Sequence, residues 1–129
     1  MMTILRSIEL PGWTGLKISG RVDAFNDRQL IQTLEQTVEK SSRVAIDLSE
    51  ADFLSLQVLK YFADTSRDLG RKGGELALVR PSHSLRRQIE IFFAPKAFNV
   101  YQNQDHLRRG YSVQPRAEFQ AVVSEALFI

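Results

Sequence analysis

The sequence contains no cysteine and only two histidines, His83 and His106. Disulfides, thiolate catalysis and zinc–thiolate centres are therefore excluded, and the two histidines leave little for a histidine metal site. No apolar run approaches the roughly 18 residues that a membrane-spanning helix needs. The N-terminal residues also lack the basic start and apolar core of a signal peptide. We therefore expect a cytoplasmic protein without a metal and without direct membrane insertion.

Phosphate-binding glycine loops and the Gly-x-Ser-x-Gly nucleophile elbow are also missing, and none of the seven glycines opens a helix after a strand. Three aspartates, Asp23, Asp47 and Asp52, lie at or near predicted strand ends, where carboxylates often gather. No histidine or lysine is placed to exchange protons with them. We therefore predict a protein that is not an enzyme and that binds no cofactor.

The formal net charge is only +2, and the second half of the chain carries the excess of basic residues. Nucleic-acid-binding proteins usually cluster such residues on one face and interleave aromatic side chains with them. Here they are scattered, which favours a solvated surface of mixed charge and predicts no nucleic-acid binding. The scattered residues are Arg67, Arg71, Lys72, Arg80, Arg86 and Arg87.

Five strands are predicted from the apolar patterns that are present. Alternation indicates a half-exposed strand over 3–10, and the turn Pro11–Trp13 joins it to a second strand over 14–20 as a hairpin. The run Arg43–Leu48 is almost continuously apolar, which is typical of a central strand covered on both faces. Short strands follow at 75–80 and 99–102.

Four helices are predicted between and after these strands. Asn26 or Asp27 caps the first, whose inner face is Leu30, Ile31, Leu34 and Val38. The second is ended by Gly70 in a left-handed cap, and its apolar face comprises Leu56, Val58, Leu59, Phe62, Ala63, Ser66 and Leu69.

The third helix is capped by Ser82 or Ser84, and Pro95 ends it. Its inner face is Leu85, Ile89 and either Phe92 or Phe93. A brief helical turn over 104–110 is the fourth.

The predicted order is therefore β-β-α-β-α-β-α-β-α. Strands separated by single helices become parallel neighbours through right-handed crossovers, and the opening hairpin adds an antiparallel edge. We predict an α/β domain over residues 1–110, with about four helices on a mostly parallel sheet of about five strands.

A C-terminal extension over 111–129 completes the predicted organisation. Pro115 stands at a first helical position, and Phe119, Val122, Val123, Ala126 and Leu127 share one helix face. Docking of this face on the parent domain is the favoured interpretation, and a homodimer or a partner protein are the alternatives.

The segment DLSEADFLSLQVLKYF, residues 47–62, passes from a strand into a helix and contains one hydroxyl at the junction, Ser55. The favoured interpretation is a helix N-cap, in which this hydroxyl accepts a hydrogen bond from a free amide of the first turn. The alternative is phosphorylation of Ser55, since a helix N-terminus stabilises a phosphate.

Three short motifs stand in a characteristic order: Gly20-Arg21-Val22-Asp23, then Asp47-Leu48-Ser49 followed by Phe53, then Gly73-Gly74 before an apolar strand. Each piece alone is weak, but their order and spacing are fairly specific. With them the chain resembles a STAS domain over about residues 3–110, which implies the fold of anti-sigma-factor antagonists and of the cytoplasmic tails of sulfate-type anion transporters.

The family's phosphorylated motif usually reads Asp-Ser-Ser-Gly or Asp-Ser-Ala-Gly, and here it is lost. By the resemblance, Ser55 takes the place of the acid, Leu56 that of the phosphoacceptor, Gln57 that of the next small residue and Val58 that of the glycine. Leucine cannot accept phosphate, and valine cannot offer a partner the close approach that glycine gives. We therefore predict a module that binds without the usual control by serine phosphorylation.

Two functions follow from the resemblance. The first is a bacterial regulatory module for signal transduction and transcription regulation, bound by an anti-sigma factor or another kinase-like ATPase. The second is the accessory subunit of an ABC lipid transport system, bound by its ATPase. In the first, the partner-binding residues are predicted to be Ser55, Leu56, Gln57, Lys60, Tyr61 and Asp64.

Overall fold

A computed structural model describes residues 4–93 and 97–109. The strands and helices follow one another in the predicted order. They are β1 (Ile4–Leu10), β2 (Trp13–Val22), α1 (Asp27–Lys40), β3 (Arg43–Leu54), α2 (Leu56–Arg71), β4 (Glu75–Val79), α3 (His83–Phe92), β5 (Asn99–Tyr101) and α4 (Gln104–Arg109). Pro95 and the predicted C-terminal helix lie outside the described residues.

The strands form one sheet in the order β1-β2-β3-β4-β5. β1 and β2 are antiparallel, and the other neighbours are parallel. This is the predicted arrangement, with β3 at the centre and residues 44–48 buried. The predicted fold class of a mixed α/β sheet with an antiparallel edge hairpin is confirmed.

β3 is longer than the sequence predicts, since it continues from Leu48 to Leu54. The extension pairs with the end of β2, where Val22 lies opposite Leu54, and two register shifts interrupt this pairing. The apolar pattern of residues 49–54 alone does not predict a strand. β2, however, also runs beyond its predicted end, to Val22, and its end pairs with residues 50–54 of β3. As a result, the carboxyl ends of β2 and β3 lie side by side.

The main core lies between one face of the sheet and helices α1, α2 and α3. Leu30 and Leu34 of α1 are buried there as predicted. Leu56 was wrongly assigned to the core face of α2, because it is 49% exposed at the first helical position. Thr65 is buried on that face instead. On α3 the inner aromatic is Phe93, since Phe92 is 58% exposed.

Two predicted helix ends need correction. Asn26 stands at the N-cap position of α1 but caps no helix amide, because its Oδ1 accepts from the amide of Asp23. Gly70 is helical within α2, and the left-handed glycine is Gly73, with φ of 82°. Ser82 caps α3 as predicted, accepting from the amide of Leu85 at 3.2 Å.

Gly70 lies in the last turn of α2, and Gly74 lies directly before β4. Replacing each by alanine should have opposite effects on the free energy of unfolding. A Cβ on Gly70 meets nothing within 4 Å, so Gly70→Ala should stabilise the helix by up to about 1 kcal/mol. A Cβ on Gly74 would collide with the carbonyl oxygen of Ser42, which also accepts from the amide of Glu75. Gly74→Ala should therefore destabilise the fold by about 1–3 kcal/mol, as overpacking does. Urea unfolding measures both, and equal effects would contradict this account.

The opposite face of the sheet carries a smaller apolar cluster, to which α4 contributes Leu107. Trp13 of β2 is partly exposed at the margin of this cluster, and the Arg43 guanidinium stacks 4.2 Å from the centre of its ring. Tyr101 of β5 donates a short hydrogen bond to the Glu75 carboxylate. Only α4, among the described helices, contributes a residue to this second cluster.

Tyr101 should make stability fall in alkaline solution. Burial raises the pKa of its phenol, and the hydrogen bond to Glu75 adds to the rise. The folded state therefore holds the phenol proton more tightly than the unfolded chain, whose tyrosine pKa is about 10. This stabilisation is fully present below about pH 10 and is lost as the pH rises further.

Tyr101→Phe removes both the titration and the hydrogen bond. The variant should be about 1 kcal/mol less stable at neutral pH, because Glu75 loses its donor. It should also lose less stability than the wild type above about pH 10. Urea unfolding across this pH range measures the difference, and parallel alkaline curves for the two proteins would contradict the assignment.

Candidate partner-binding site

The junction between β3 and α2 is fixed by Ser55. Its Oγ accepts from the amide of Val58 at 3.3 Å and donates to Oδ2 of Asp27 at 3.0 Å. Its amide donates to the carbonyl of Val22 at 2.8 Å. Ser55 is therefore an N-cap, as favoured from the sequence, and it also ties α2 to the first turn of α1 and to the end of β2.

Asp27 is the buried acidic group of this junction, with 8% of its surface exposed. Its amide donates to the carbonyl of Asp23, while its carboxylate reaches across to Ser55. A buried carboxylate needs hydrogen-bond donors to offset its lost hydration. The Ser55 hydroxyl therefore makes two hydrogen bonds: it caps α2 and it donates to the buried Asp27 carboxylate.

The loop that joins β2 to α1 is held by its own side chains. Oδ1 of Asp23 accepts from the amide of Phe25 at 3.0 Å, and Oδ1 of Asn26 accepts from the amide of Asp23 at 2.9 Å. The Asn26 amide nitrogen donates to the carbonyl of Arg21. Directly before the loop, the guanidinium of Arg21 on β2 lies 4.2 Å from the centre of the Phe53 ring on β3. Such contacts present the loop in an ordered conformation.

Two apolar side chains project from this ordered junction. Phe25 is 99% exposed and Leu56 is 49% exposed. Phe25 stands two residues before Asp27, and Leu56 directly follows Ser55, so the Ser55–Asp27 hydrogen bond holds both on adjacent segments. We call Phe25, Leu56, Gln57 and Lys60 the junction surface, of which the last two are exposed on α2.

The other two predicted contact residues lie less openly. Tyr61 is partly buried against the main core. Burial raises the pKa of its phenol above the ordinary value, and the carboxylates of Glu35 and Glu39 on α1 add to the rise. Asp64 is partly exposed and its carboxylate lies 3.2 Å from the Arg67 guanidinium. Tyr61 therefore faces the boundary between α1 and α2, beside the junction surface.

The carboxylates near the strand ends do not come together as a metal-binding group. Among residues 4–93 and 97–109, no group of three or more potential metal ligands is found. Oδ1 of Asp47 accepts from the amide of Ser49, and the side chain of Asp23 is used within its own loop. In the same part of the chain, no helix has the length and apolar character required to cross a membrane.

Sequence reasoning missed Phe25 and Asp27 as residues of this site. Phe25 lies in a short loop without periodicity, so the sequence gives no sign that its ring is exposed. Asp27 was considered only as a cap of α1, whereas its partner is 28 positions away in sequence. The contact of Gln88 on α3, which donates to the carbonyl of Leu54, is equally non-local.

These features define an α/β domain whose ordered strand-to-helix junction presents apolar side chains to the solvent. The sequence matches the STAS domain family over residues 6–106, so the chain belongs to this family. The resemblance stated from its motifs is thereby confirmed. Among curated proteins, no significant match is found.

Solved structures with the same fold include anti-sigma factor antagonists. An anti-sigma factor antagonist from Mycobacterium paratuberculosis is 26% identical, with a TM-score of 0.74 over 85% of this chain and 94% of that one. SpoIIAA, a Bacillus cell fate determinant in its phosphorylated form, is 12% identical, with a TM-score of 0.60 over 84% and 98% of the two chains.

A third similar chain comes from the complex of the Pseudomonas aeruginosa diguanylate cyclase SiaD with its activator SiaC. It is 15% identical, with a TM-score of 0.50 over 78% of this chain and 91% of that one. At such low identities, the similarity to SpoIIAA and to the chain from the SiaD–SiaC complex shows the fold alone. Family membership and the antagonist from Mycobacterium together support a regulatory module that acts through protein interaction.

Proposed function

We propose that this protein is a non-enzymatic, cytoplasmic regulator of the anti-sigma factor antagonist type, which binds its protein partner through the junction surface without control by serine phosphorylation. One observation carries the proposal. Leu56, which takes the place of the family's phosphoacceptor, is an exposed apolar side chain at the first position of α2. A phosphorylated serine there would switch its charge, whereas leucine keeps the surface apolar in every state of the cell.

The neighbouring Ser55 is a poor substitute for the missing phosphoacceptor. Its hydroxyl already caps α2 and donates to the Asp27 carboxylate. A phosphate carries close to two negative charges, and on Ser55 it would stand beside that buried carboxylate. Like charges at this distance repel strongly where water is largely excluded. The local geometry therefore favours a structural serine.

The composition of the junction surface fits recognition of another protein. Aromatic side chains that become buried in a partner's pocket often contribute most of the binding free energy. Phe25 offers such a ring on a loop that is already ordered, so little entropy is lost on binding. Lys60 supplies a charge at the margin of the apolar pair. The partner is proposed to be an anti-sigma factor, as the 26% identical antagonist suggests, or another kinase-like ATPase.

The constant apolar character of Leu56 also favours a second candidate, the accessory subunit of an ABC lipid transport system. A permanent subunit needs a stable interface and no switch, and obligate interfaces are more apolar than transient ones. In this case the junction surface would contact the ATPase of the transporter.

Affinity capture of the tagged chain from its own host, in mild detergent, separates the two functions. Mass spectrometry of the bound proteins should identify a kinase-like ATPase or a regulator of sigma factors if the first function holds. Recovery of an ABC ATPase with its membrane subunits would instead establish the transport function. Capture that is unchanged after Leu56→Asp would show that the junction surface is not the interface in either case.

A further inference from the structure

The β1–β2 hairpin carries a shallow groove of about 510 Å³. Its lining includes Ile8, Leu10, Trp13 and Gly15. Leu10, Ile8 and Trp13 belong to the apolar cluster on the sheet face opposite to α1, α2 and α3. A Cβ on Gly15 would lie 2.7 Å from the carbonyl oxygen of Ile8 and 2.9 Å from its Cγ1, so glycine allows Ile8 to pack closely over β2 at the floor of the groove. The groove is thus an apolar surface remote from the junction surface.

The described chain ends on the same sheet face. α4 contacts β4 and β5, and Leu107 is buried in the second apolar cluster. The chain therefore leaves Arg109 close to β4 and β5, on the face that carries the groove. Three strand spacings, or about 14 Å, separate β4 from β1.

We propose that the C-terminal segment 115–129 binds in this groove as an amphipathic helix. Its sequence places five apolar residues on one helix face, and a helix of this length extends about 22 Å. Residues 110–114 span up to about 17 Å when extended, which is enough to cross from α4 to the hairpin. The ring of Trp13 and the side chains of Ile8 and Leu10 match the apolar face in chemistry.

The short connection through residues 110–114 favours the chain's own segment 115–129 in the groove over a separate molecule. Because the segment is joined to Arg109, its effective concentration at the groove is in the millimolar range, so a weak apolar contact suffices. The same docking would cover Trp13 and the exposed part of Ile8. It would also make the C-terminal extension part of the domain rather than a separate arm.

Trp13 allows a direct test, because it is the single tryptophan of the chain and lines the groove. Val123 lies on the apolar face of the predicted helix, whereas Ser124 lies outside that face. In the full-length chain, Val123→Asp should shift the Trp13 emission to the red and raise its quenching by acrylamide. Ser124→Asp, which introduces the same charge one residue later, should leave both unchanged.

Two further measurements keep the test decisive. Phe119→Ser should repeat the effect of Val123→Asp without a new charge, and unchanged sheet signals in circular dichroism show that the domain stays folded. Emission that is identical in the wild type and both apolar-face variants would overturn the proposal. A wild-type signal that changes on dilution would also overturn it, since it would place the segment of a second copy in the groove.

Discussion

Leu56→Asp should weaken partner binding strongly without weakening the fold. Leu56 is half-exposed at the first position of α2, so its replacement removes little burial from the free protein. An acidic residue in the first helical turn is even slightly stabilising, by a few tenths of a kcal/mol. In the complex, however, the carboxylate would be buried against an apolar surface. We expect at least about a 100-fold weaker Kd, which corresponds to about 3 kcal/mol.

Titration of the captured partner against purified wild type and variant, by calorimetry, measures this effect. Gln36→Asp is the matched control, because it introduces the same charge at an exposed position of α1 away from the junction surface. Phe25→Ala should weaken binding by roughly tenfold or more, as truncation of an interface anchor does. If Leu56→Asp binds as tightly as Gln36→Asp, the junction surface is not the interface.

Ser55→Ala should cost roughly 2–4 kcal/mol of unfolding free energy, which is more than a lost helix cap alone. The variant loses the cap on the amide of Val58 and also leaves the buried Asp27 carboxylate without this donor. The chain contains its own control in Ser82, which caps α3 through the amide of Leu85. Ser82→Ala should cost only about 1 kcal/mol.

The difference between the two serine variants in urea unfolding isolates the part played by Asp27. Ser55→Thr keeps the hydroxyl and should recover most of the loss. Ser55→Asp keeps a capping oxygen but sets a second carboxylate beside Asp27, so it should remain less stable than the wild type. Equal costs for Ser55→Ala and Ser82→Ala would show that the Ser55–Asp27 hydrogen bond contributes nothing.

The elements with a regular apolar period could be predicted from the sequence. Leu30 and Leu34 recur on one face of α1, and the continuous run of residues 44–48 marks the centre of the sheet. Such patterns arise because a helix or a strand buries one face at a fixed period, and the pattern therefore survives in the sequence. The order of elements then sets the parallel sheet, since each crossover has one favoured hand.

The parts that could not be predicted depend on contacts between distant segments. β3 extends to Leu54 because β2 is there to pair with it. The left-handed turn falls on Gly73 rather than Gly70, since α2 continues to Arg71, two residues beyond its last apolar residue, Leu69. Leu56 fits the apolar period of α2. Because it is the first residue of the helix, however, its side chain is half-exposed and does not pack in the core.

The candidate site was predicted in part, and for the same physical reason. The cap formed by Ser55 is local, because the hydroxyl and the amide of Val58 are three residues apart. The hydrogen bond between Ser55 and Asp27 spans two elements, and no local pattern announces it. The exposure of Phe25 depends on the fold of an irregular loop, which carries no periodic pattern.

The central claim is that the junction surface binds its partner without a phosphate switch. The measurement that tests it most directly is the intact mass of the native chain recovered from its host, in the partner-bound and the free fractions separately. The proposal predicts the unmodified mass in both fractions. A phosphate found only in the free fraction and located on Ser55 would contradict it, because it would show a switch displaced by one residue from Leu56.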